Sequence, residues 1–413
     1  MQESYVNDTS KFIAIIGGGP AGLMAAHQLL EMGHRVHLYD TKPSVARRFQ
    51  LAGRGGLNLT HSEPLDTFAT RYYENEARFT PLLQQFTPKD LRGFCLTLGQ
   101  ETFIGSSGRV FPTKFKATEL LRAWLADLSH KGLKLFTRHK WIGFDSQKNL
   151  LVKNNDNQVI TISPQATLLA LGGASWGKLG SDAAWVPILA KEKIDIEPLE
   201  AANCGYETHW PETLQESCFG QPLKNISLTH EDRTTKGEIM LSSYGLEGGA
   251  IYALSKSIRE AINRDQSTTV FIDLKPNHSQ EKLAKALKKR AKTLALGKFL
   301  KQELRVSSTS LNLLKALTNK EEFSCPDTLV KKIKALPVTL HKARPIDRAI
   351  STAGGIKFNA CTNDLMLKRL PGIFVAGEML DWEAPTGGYL LQGCFSMAIH
   401  VAQGIDQYLR EQS

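Results

Sequence analysis

At 413 residues the chain exceeds what one hydrophobic core usually organises, so two or three folding units are expected. With 42% hydrophobic and 22% charged residues it reads as an ordinary soluble globular protein. Its six cysteines, at 95, 204, 218, 325, 361 and 394, form no C-x-x-C pair, which argues against a zinc knuckle, a thioredoxin-type redox pair and a secreted disulfide framework, and favours a reduced, cytoplasmic setting.

Met1 to Ser10 carries acids and polar residues where a signal peptide needs a basic start and an apolar run. Phe12 to Ile16 is a short β-branched apolar run and reads as a buried parallel strand. Apolar residues then recur at helical spacing from Ala21 to Met32, with Gly33 as a stop, and Arg35 to Tyr39 forms a second strand ending at Asp40. A glycine-rich loop, Gly53 to Gly56, leads into a polar, aromatic stretch reaching about Gly99. Thr118 to His130 reads as a helix capped by Thr118, followed by strand-like runs at Leu133 to Thr137, Gln158 to Ile162 and Thr167 to Leu171, the last opening onto Gly172-Gly173.

From about Ile194 to Leu274 short alternating segments, such as Lys224 to His230 and Thr269 to Leu274, predict a β-rich module. Ser279 to about Lys334 is rich in Ala, Leu and Lys and predicts several helices. Between Lys275 and Arg344 there are 17 Lys and Arg against 5 Asp and Glu, an excess of 12, so the remainder of the +10 chain is close to neutral. Such a block is a solvated basic face or the contact surface of a polyanion. Beyond about Leu336 dinucleotide-fold signals resume, with Ile373 to Ala376 entering Gly377-Glu378. The two long uncharged stretches, Phe12 to Leu30 and Ala384 to Ile405, are broken by glycines and prolines, so cofactor loops explain them better than membrane helices.

Gly17, Gly19 and Gly22, followed by Ala21 and its neighbours in a helix, satisfy G-x-G-x-x-G between a strand and a helix. The glycines permit a tight turn, backbone approach to a pyrophosphate, and close helix–strand packing, while the helix amides face the diphosphate. Asp40, 18 residues after Gly22, stands where a carboxylate binds ribose hydroxyls. A second strand entering Gly377-Glu378 resembles the second FAD motif of glutathione-reductase-like flavoproteins, with Glu378 in place of the usual Asp. The helix beginning at Gly388-Tyr389 would put its amides and positive dipole end against the flavin N1 and C2 carbonyl. FAD is therefore the expected cofactor. Chemistry on the flavin leaves the protein to position reactants. No second G-x-G-x-x-G is present, so NADH or NADPH, if used, visits the flavin transiently.

Gly17 to Gly22, the loop Gly53-Arg54-Gly55-Gly56-Leu57-Asn58-Leu59-Thr60, Ala353 to Ile356, and Gly377 to Trp382 through Gly388 to Gln392 occur in this order. Together they resemble the bacterial NAD(P)/FAD-dependent flavoproteins known as aminoacetone-oxidase-like, or relatives of a bile-acid dehydro-steroid reductase. That resemblance implies a Rossmann-type α/β FAD-binding domain interrupted by a β-barrel-like and helical insertion. The boundaries expected are 1–193 and 341–413 for the FAD-binding domain, 194–275 for the β-rich insertion and 276–340 for the helical one. It also implies Arg48, Arg54 and Asn58 along the pyrophosphate and flavin edge, Trp141 near the adenine through its backbone, and Gly172 in the adenosine loop. Many relatives carry Arg-Cys-Asn where this chain has Gly56-Leu57-Asn58, which marks a distinct branch. No acid or base is assigned. The substrate expected is a small molecule without membrane involvement, with RNA modification and non-catalytic flavin binding as the rival readings.

Overall fold

The computed structural model describes residues 11–52, 56–291 and 293–412, so Arg54 and its two flanking glycines lie outside the described residues. Five short strands build a parallel sheet: β1 (Ile13–Ile16), β2 (Val36–Asp40), β3 (Lys134–Thr137), β4 (Ala166–Leu169) and β5 (Ile373–Val375), in the spatial order β5-β4-β1-β2-β3. Every residue of β1, β4 and β5 is buried, which is why these runs are continuously apolar rather than alternating. The helix α1 (Pro20–Glu31) follows β1, and the long α2 (Tyr389–Glu411) packs along it, burying Phe395, Met397, Ala398 and Val401.

One polar contact ties these two helices together at their far ends. His34 Nε2 and Asp406 Oδ1 lie 2.8 Å apart, and Arg410 reaches the other carboxylate oxygen at 2.9 Å. Burial pushes the Asp406 carboxyl up, but hydrogen bonds from His34 and Arg410 outweigh it and hold the group below its ordinary value. A carboxyl lowered on folding stabilises above its unfolded value and loses that contribution as pH falls through the folded one. Asp406→Asn is therefore expected to cost about 1 kcal/mol at neutral pH. Thermal midpoints of the two proteins should converge as the solution is acidified, and a gap that persists in acid would contradict the ionic assignment.

The stretch from Leu65 to Gly99, which the sequence shows only as polar and aromatic, is largely helical: Leu65–Ala69, Glu76–Gln85 and Pro88–Thr97. Its aromatic residues are the reason it holds together, because Tyr72 stacks on Phe79 at 3.8 Å and Trp382 closes on both. The third helix starts with a capping box in which Thr87 and Asp90 satisfy each other's backbone N–H groups. The helix expected from Thr118 spans Ala117–His130, with Lys116 at its N-cap and no side-chain cap, so Thr118 lies inside the first turn and does not cap it.

The chain divides into two compact units, Met1–Glu200 with Thr352–Ser413, and Ala201–Ser351. The second unit contains both the β-rich and the helical block, and its ends lie at 201 and 351 rather than at 194 and 340. Strand pairing explains the difference. A seven-stranded sheet runs, in spatial order, through Leu336–Leu340, Thr268–Asp273, Gln221–His230, Arg233–Ser242, Gly245–Glu247, Tyr206–Glu207 and Lys342–Ala343. Leu336–Leu340 pairs antiparallel with Thr268–Asp273, so the helices between them form a connection joining neighbouring strands. Residues 336–343 cannot leave the insertion without breaking this sheet. The two strands at the ends of this hydrogen-bonded order, Leu336–Leu340 and Lys342–Ala343, follow one another in the chain with His341 alone between them, and His341 N–H donates to Glu207 O at 2.9 Å. Among the described residues no helix is long and apolar enough to cross a membrane.

Candidate functional site

Between β1 and α1 the backbone turns sharply, with Gly17 N–H donating to Tyr39 O at 2.8 Å. A Cβ on Gly22 would overlap the carbonyl oxygen of Gly17, so only glycine allows the helix to start this close to the strand. A Cβ on Gly19 would meet no protein atom within 4 Å. The first turn of α1 thus faces open space, with Pro20 at its start and no side-chain cap on its free N–H groups. Asp40 ends β2 beside this turn, accepting from the N–H of Gly18 at 2.8 Å and of Lys42 at 2.7 Å, one bond to each oxygen. Burial raises its carboxyl above the ordinary value, with both backbone bonds opposing.

Below the turn lies a pair that spacing alone does not bring together. Arg48 donates to Glu378 through Nη1 at 2.5 Å and Nη2 at 3.3 Å, and its two nitrogens also reach Ser181 Oγ at 3.0 Å and Ser175 Oγ at 2.8 Å. Glu378 further accepts from Thr352 N–H at 3.0 Å. Its carboxylate is consequently held by protein donors on three sides. Gly172, at φ +72°, presses on the same cluster, since a Cβ there would lie 3.0 Å from Ser181 Oγ and 3.5 Å from Arg48 Nη1. Gly377 brings the end of β5 against α1, a Cβ there lying 3.0 Å from that of Ala21. Cys394, on α2, sits near this pair, and burial pushes its thiol up to about 12. Ser175, Ser181 and Thr352 were not legible in the sequence, for each is an isolated small polar residue in a different segment.

Gly388, at φ +96°, caps α2 in the left-handed region with no side-chain cap, and a Cβ there would lie 2.5 Å from Thr60 Cα. Only glycine permits the Asn58–Thr60 segment to cross the helix start. On that segment Asn58 Oδ1 and Thr60 Oγ1 are buried atoms with no hydrogen-bond partner among the described residues. Such orphaned groups are uncommon in a finished interior and are expected where a ligand completes the site. Tyr389 is oriented differently from its backbone. Its ring stacks on His61 at 5.5 Å and meets Phe68 edge-on at 4.8 Å, its hydroxyl bonds Glu63, and its carbonyl accepts from Tyr72 OH at 2.8 Å. Burial and Glu63 raise its pKa, so the side chain anchors the helix while the backbone faces the site.

Trp141 lies on Lys140–Phe144, the first strand of a three-stranded antiparallel sheet, with its indole buried against Phe144. The preceding backbone is tied to the end of β2, Arg138 N–H to Lys42 O at 3.1 Å and His139 N–H to Asp40 O at 2.9 Å. The main chain before Trp141 is thereby fixed beside Asp40.

These features fit FAD. An uncapped helix start over open space suits a pyrophosphate, a carboxylate with spare lone pairs suits a ribose, and an uncapped second helix start beside two orphaned acceptors suits the polar edge of a flavin. Among the described residues no group of three or more His, Cys, Asp and Glu could hold a metal ion.

Comparison with known proteins agrees. The family model described as HI0933-like protein Rossmann domain matches residues 11–404. The chain is 23% identical to a 3-dehydro-bile acid delta(4,6)-reductase of Clostridium scindens, over 92% of this chain and 95% of that protein. It is 22% identical to a ribosomal RNA dihydrouridine synthase of Haemophilus influenzae, over 95% of this chain and 98% of that one. Among solved structures its fold resembles a flavocytochrome c3 fumarate reductase in an open conformation, at a TM-score of 0.54 and 13% identity, covering 96% of this chain and 78% of the other.

Proposed function

The chain belongs to the HI0933-like Rossmann family and is an FAD-dependent oxidoreductase, and from that premise we propose that it adds hydrogen across a carbon–carbon double bond conjugated to a carbonyl. The observation that carries the flavin site is the pair of partnerless buried atoms, Asn58 Oδ1 and Thr60 Oγ1, beside the uncapped start of α2, and the bond reduced is argued from two relatives. Bound FAD supplies a hydride at its N5 and takes one from a reductant, proposed here to be NADH or NADPH. The chain's own groups hold it: the Gly17–Gly22 turn and α1 amides at the pyrophosphate, Asp40 and the backbone near Trp141 and Gly172 at the adenosine. Arg48, Glu378 and Gly377 would lie along its middle, with Asn58 and the Gly388-Tyr389 amides at the flavin. Uncapped α2 amides favour negative charge on the ring edge, which is the charge a reduced flavin develops.

Two relatives, each matching more than nine-tenths of this chain, support the bond type. A delta(4,6)-reductase of a 3-dehydro-bile acid and a dihydrouridine synthase both saturate a ring double bond conjugated to a carbonyl, although their substrates differ. The substrate proposed is a small enone. A second reading, with the double bond in a pyrimidine of RNA, is favoured by the excess of 12 positive charges between Lys275 and Arg344.

The test is anaerobic. Stopped-flow mixing with NADH and with NADPH is expected to bleach the flavin, and a panel of cyclic enones and uridine-containing RNA should reoxidise it. Reoxidation by oxygen or quinones only would defeat the double-bond reading. Asn58→Ala is expected to raise the FAD Kd about tenfold, the loss of one hydrogen bond of roughly 1.4 kcal/mol, with the apoprotein's melting temperature unchanged. Flavin titration and calorimetry of the apoprotein separate this from a structural role, in which stability would fall too.

A further inference from the structure

In the second unit, residues of three separate segments meet at the turn joining strand Thr268–Asp273 to helix Gln280–Lys288. Lys334, on helix Pro326–Lys334, braces the turn by donating to the carbonyls of Lys275 at 3.2 Å and His278 at 2.8 Å, and pairs with Asp273 at 2.5 Å. Asp273 also accepts from Lys275 N–H at 2.8 Å. Both oxygens of this carboxylate are therefore engaged. Glu281, at the helix start, bonds Ser279. What remains is positive. Lys275 Nζ lies 3.4 Å from the backbone oxygen of Arg305, Lys282 stands in the first turn of the helix, and His278 Nδ1 is a buried atom with no partner among the described residues.

Two of these groups feel cationic neighbours. Burial and then Arg305 lower the pKa of Lys275, and burial followed by Lys282, Lys275 and Lys334 lower that of His278. Like charges drawn together at a braced turn repel unless an anion sits among them. In the same layer Lys332 pairs with Glu322 and Lys334 with Asp273. A phosphate group has the size, charge and acceptor oxygens to take bonds from two ammonium groups, a guanidinium and an imidazole N–H at once.

We propose that Lys275, His278, Lys282 and Arg305 form a binding site for a phosphate group. The phosphate can come from an RNA backbone or from a small nucleotide such as NADPH, and the site stands whether the double bond reduced at the flavin belongs to a free enone or to a base.

The test uses the whole FAD-loaded protein, labelled with 15N at histidine. The His278 ring resonances are followed during titration with inorganic phosphate, NADPH or a hairpin RNA, against sodium chloride at matched ionic strength. Phosphate is expected to shift them where chloride does not. Stronger response to RNA, with the triple variant Lys275→Ala/Lys282→Ala/Arg305→Ala binding it about tenfold more weakly and its salt slope reduced by about 0.7–0.9 per lost contact, assigns the backbone source. Stronger response to NADPH, lost in the same variant, assigns the nucleotide. Should the triple variant fail to fold, the exposed single change Lys282→Ala carries the comparison. Unmoved His278 resonances with all three ligands, or variant binding equal to wild type, would overturn the site. Reoxidation of the dithionite-reduced flavin by a small enone should be the same in both proteins, so loss of that half-reaction would be a separate failure.

Discussion

Gly22→Ala is expected to yield a protein that neither folds stably nor retains FAD, whereas Gly19→Ala, three residues earlier, should fold normally and lose the cofactor alone. Both positions belong to one motif, but they meet different matter. The methyl group at 22 runs into the carbonyl oxygen of Gly17, a backbone atom fixed by the hydrogen bond from Gly17 N–H to Tyr39 O. Neither the strand nor the helix can withdraw without opening the sheet, so the cost should reach about 3 kcal/mol or more, the upper end for overpacking. At Gly19 the methyl group meets nothing of the protein. Its only opponent is the pyrophosphate, and the replaced glycine is a flexible one, so apoprotein stability should hold or rise slightly. Urea unfolding of both apoproteins and flavin absorbance after purification check the pair. Equal stabilities would show that the turn is not as tight as its geometry.

Removing either partner of the Arg48–Glu378 pair should be nearly as damaging. The Glu378 side chain is 10% exposed and that of Arg48 25%, so solvent screens the pair only in part. Among the described residues, Arg48→Met leaves a buried carboxylate facing Thr352 N–H, and Glu378→Ala leaves a half-buried guanidinium facing two serine hydroxyls. Each is expected to cost about 3 kcal/mol, the lower part of the range for breaking a buried pair. The double variant should lose clearly less than the two single losses added, since no uncompensated charge remains. Additive losses in denaturant titrations would mean that the two residues act independently. FAD content should fall in all three, because the pair sits between the Gly172 loop and Gly377.

How much of this was legible beforehand depends on whether the signal is local. The βαβ unit around Gly17–Gly22 was readable almost to the residue, because a buried parallel strand, a glycine turn and an acid at the next strand end all lie within thirty residues. Asp40 stands at the end of β2 as expected. The Gly388 helix start was readable for the same reason. Arg48 and Glu378 could be nominated one by one, yet nothing in spacing 330 residues apart announces that they pair. The helices between Leu65 and Gly99 were missed because their stability comes from Tyr72, Phe79 and Trp382 stacking across the fold, which a window of local periodicity does not contain. The insertion was seen as two blocks because its composition changes at residue 275, whereas strand pairing, which is long-range, makes it one.

That discontinuous arrangement also sets an order of events during synthesis. Residues 201–351 form one uninterrupted segment, and every strand of their sheet has been made once residue 351 is available. The five-stranded sheet is still missing β5 at that moment, and α1 still lacks α2, the helix that covers it. While residues 352–411 are being made, the side of α1 that packs against α2 is uncovered and is a target for chaperones. The cofactor cradle, which needs Glu378 and Gly388, is therefore completed only after the insertion has been made, so a product truncated at 351 would carry an intact insertion on a half-built flavin domain.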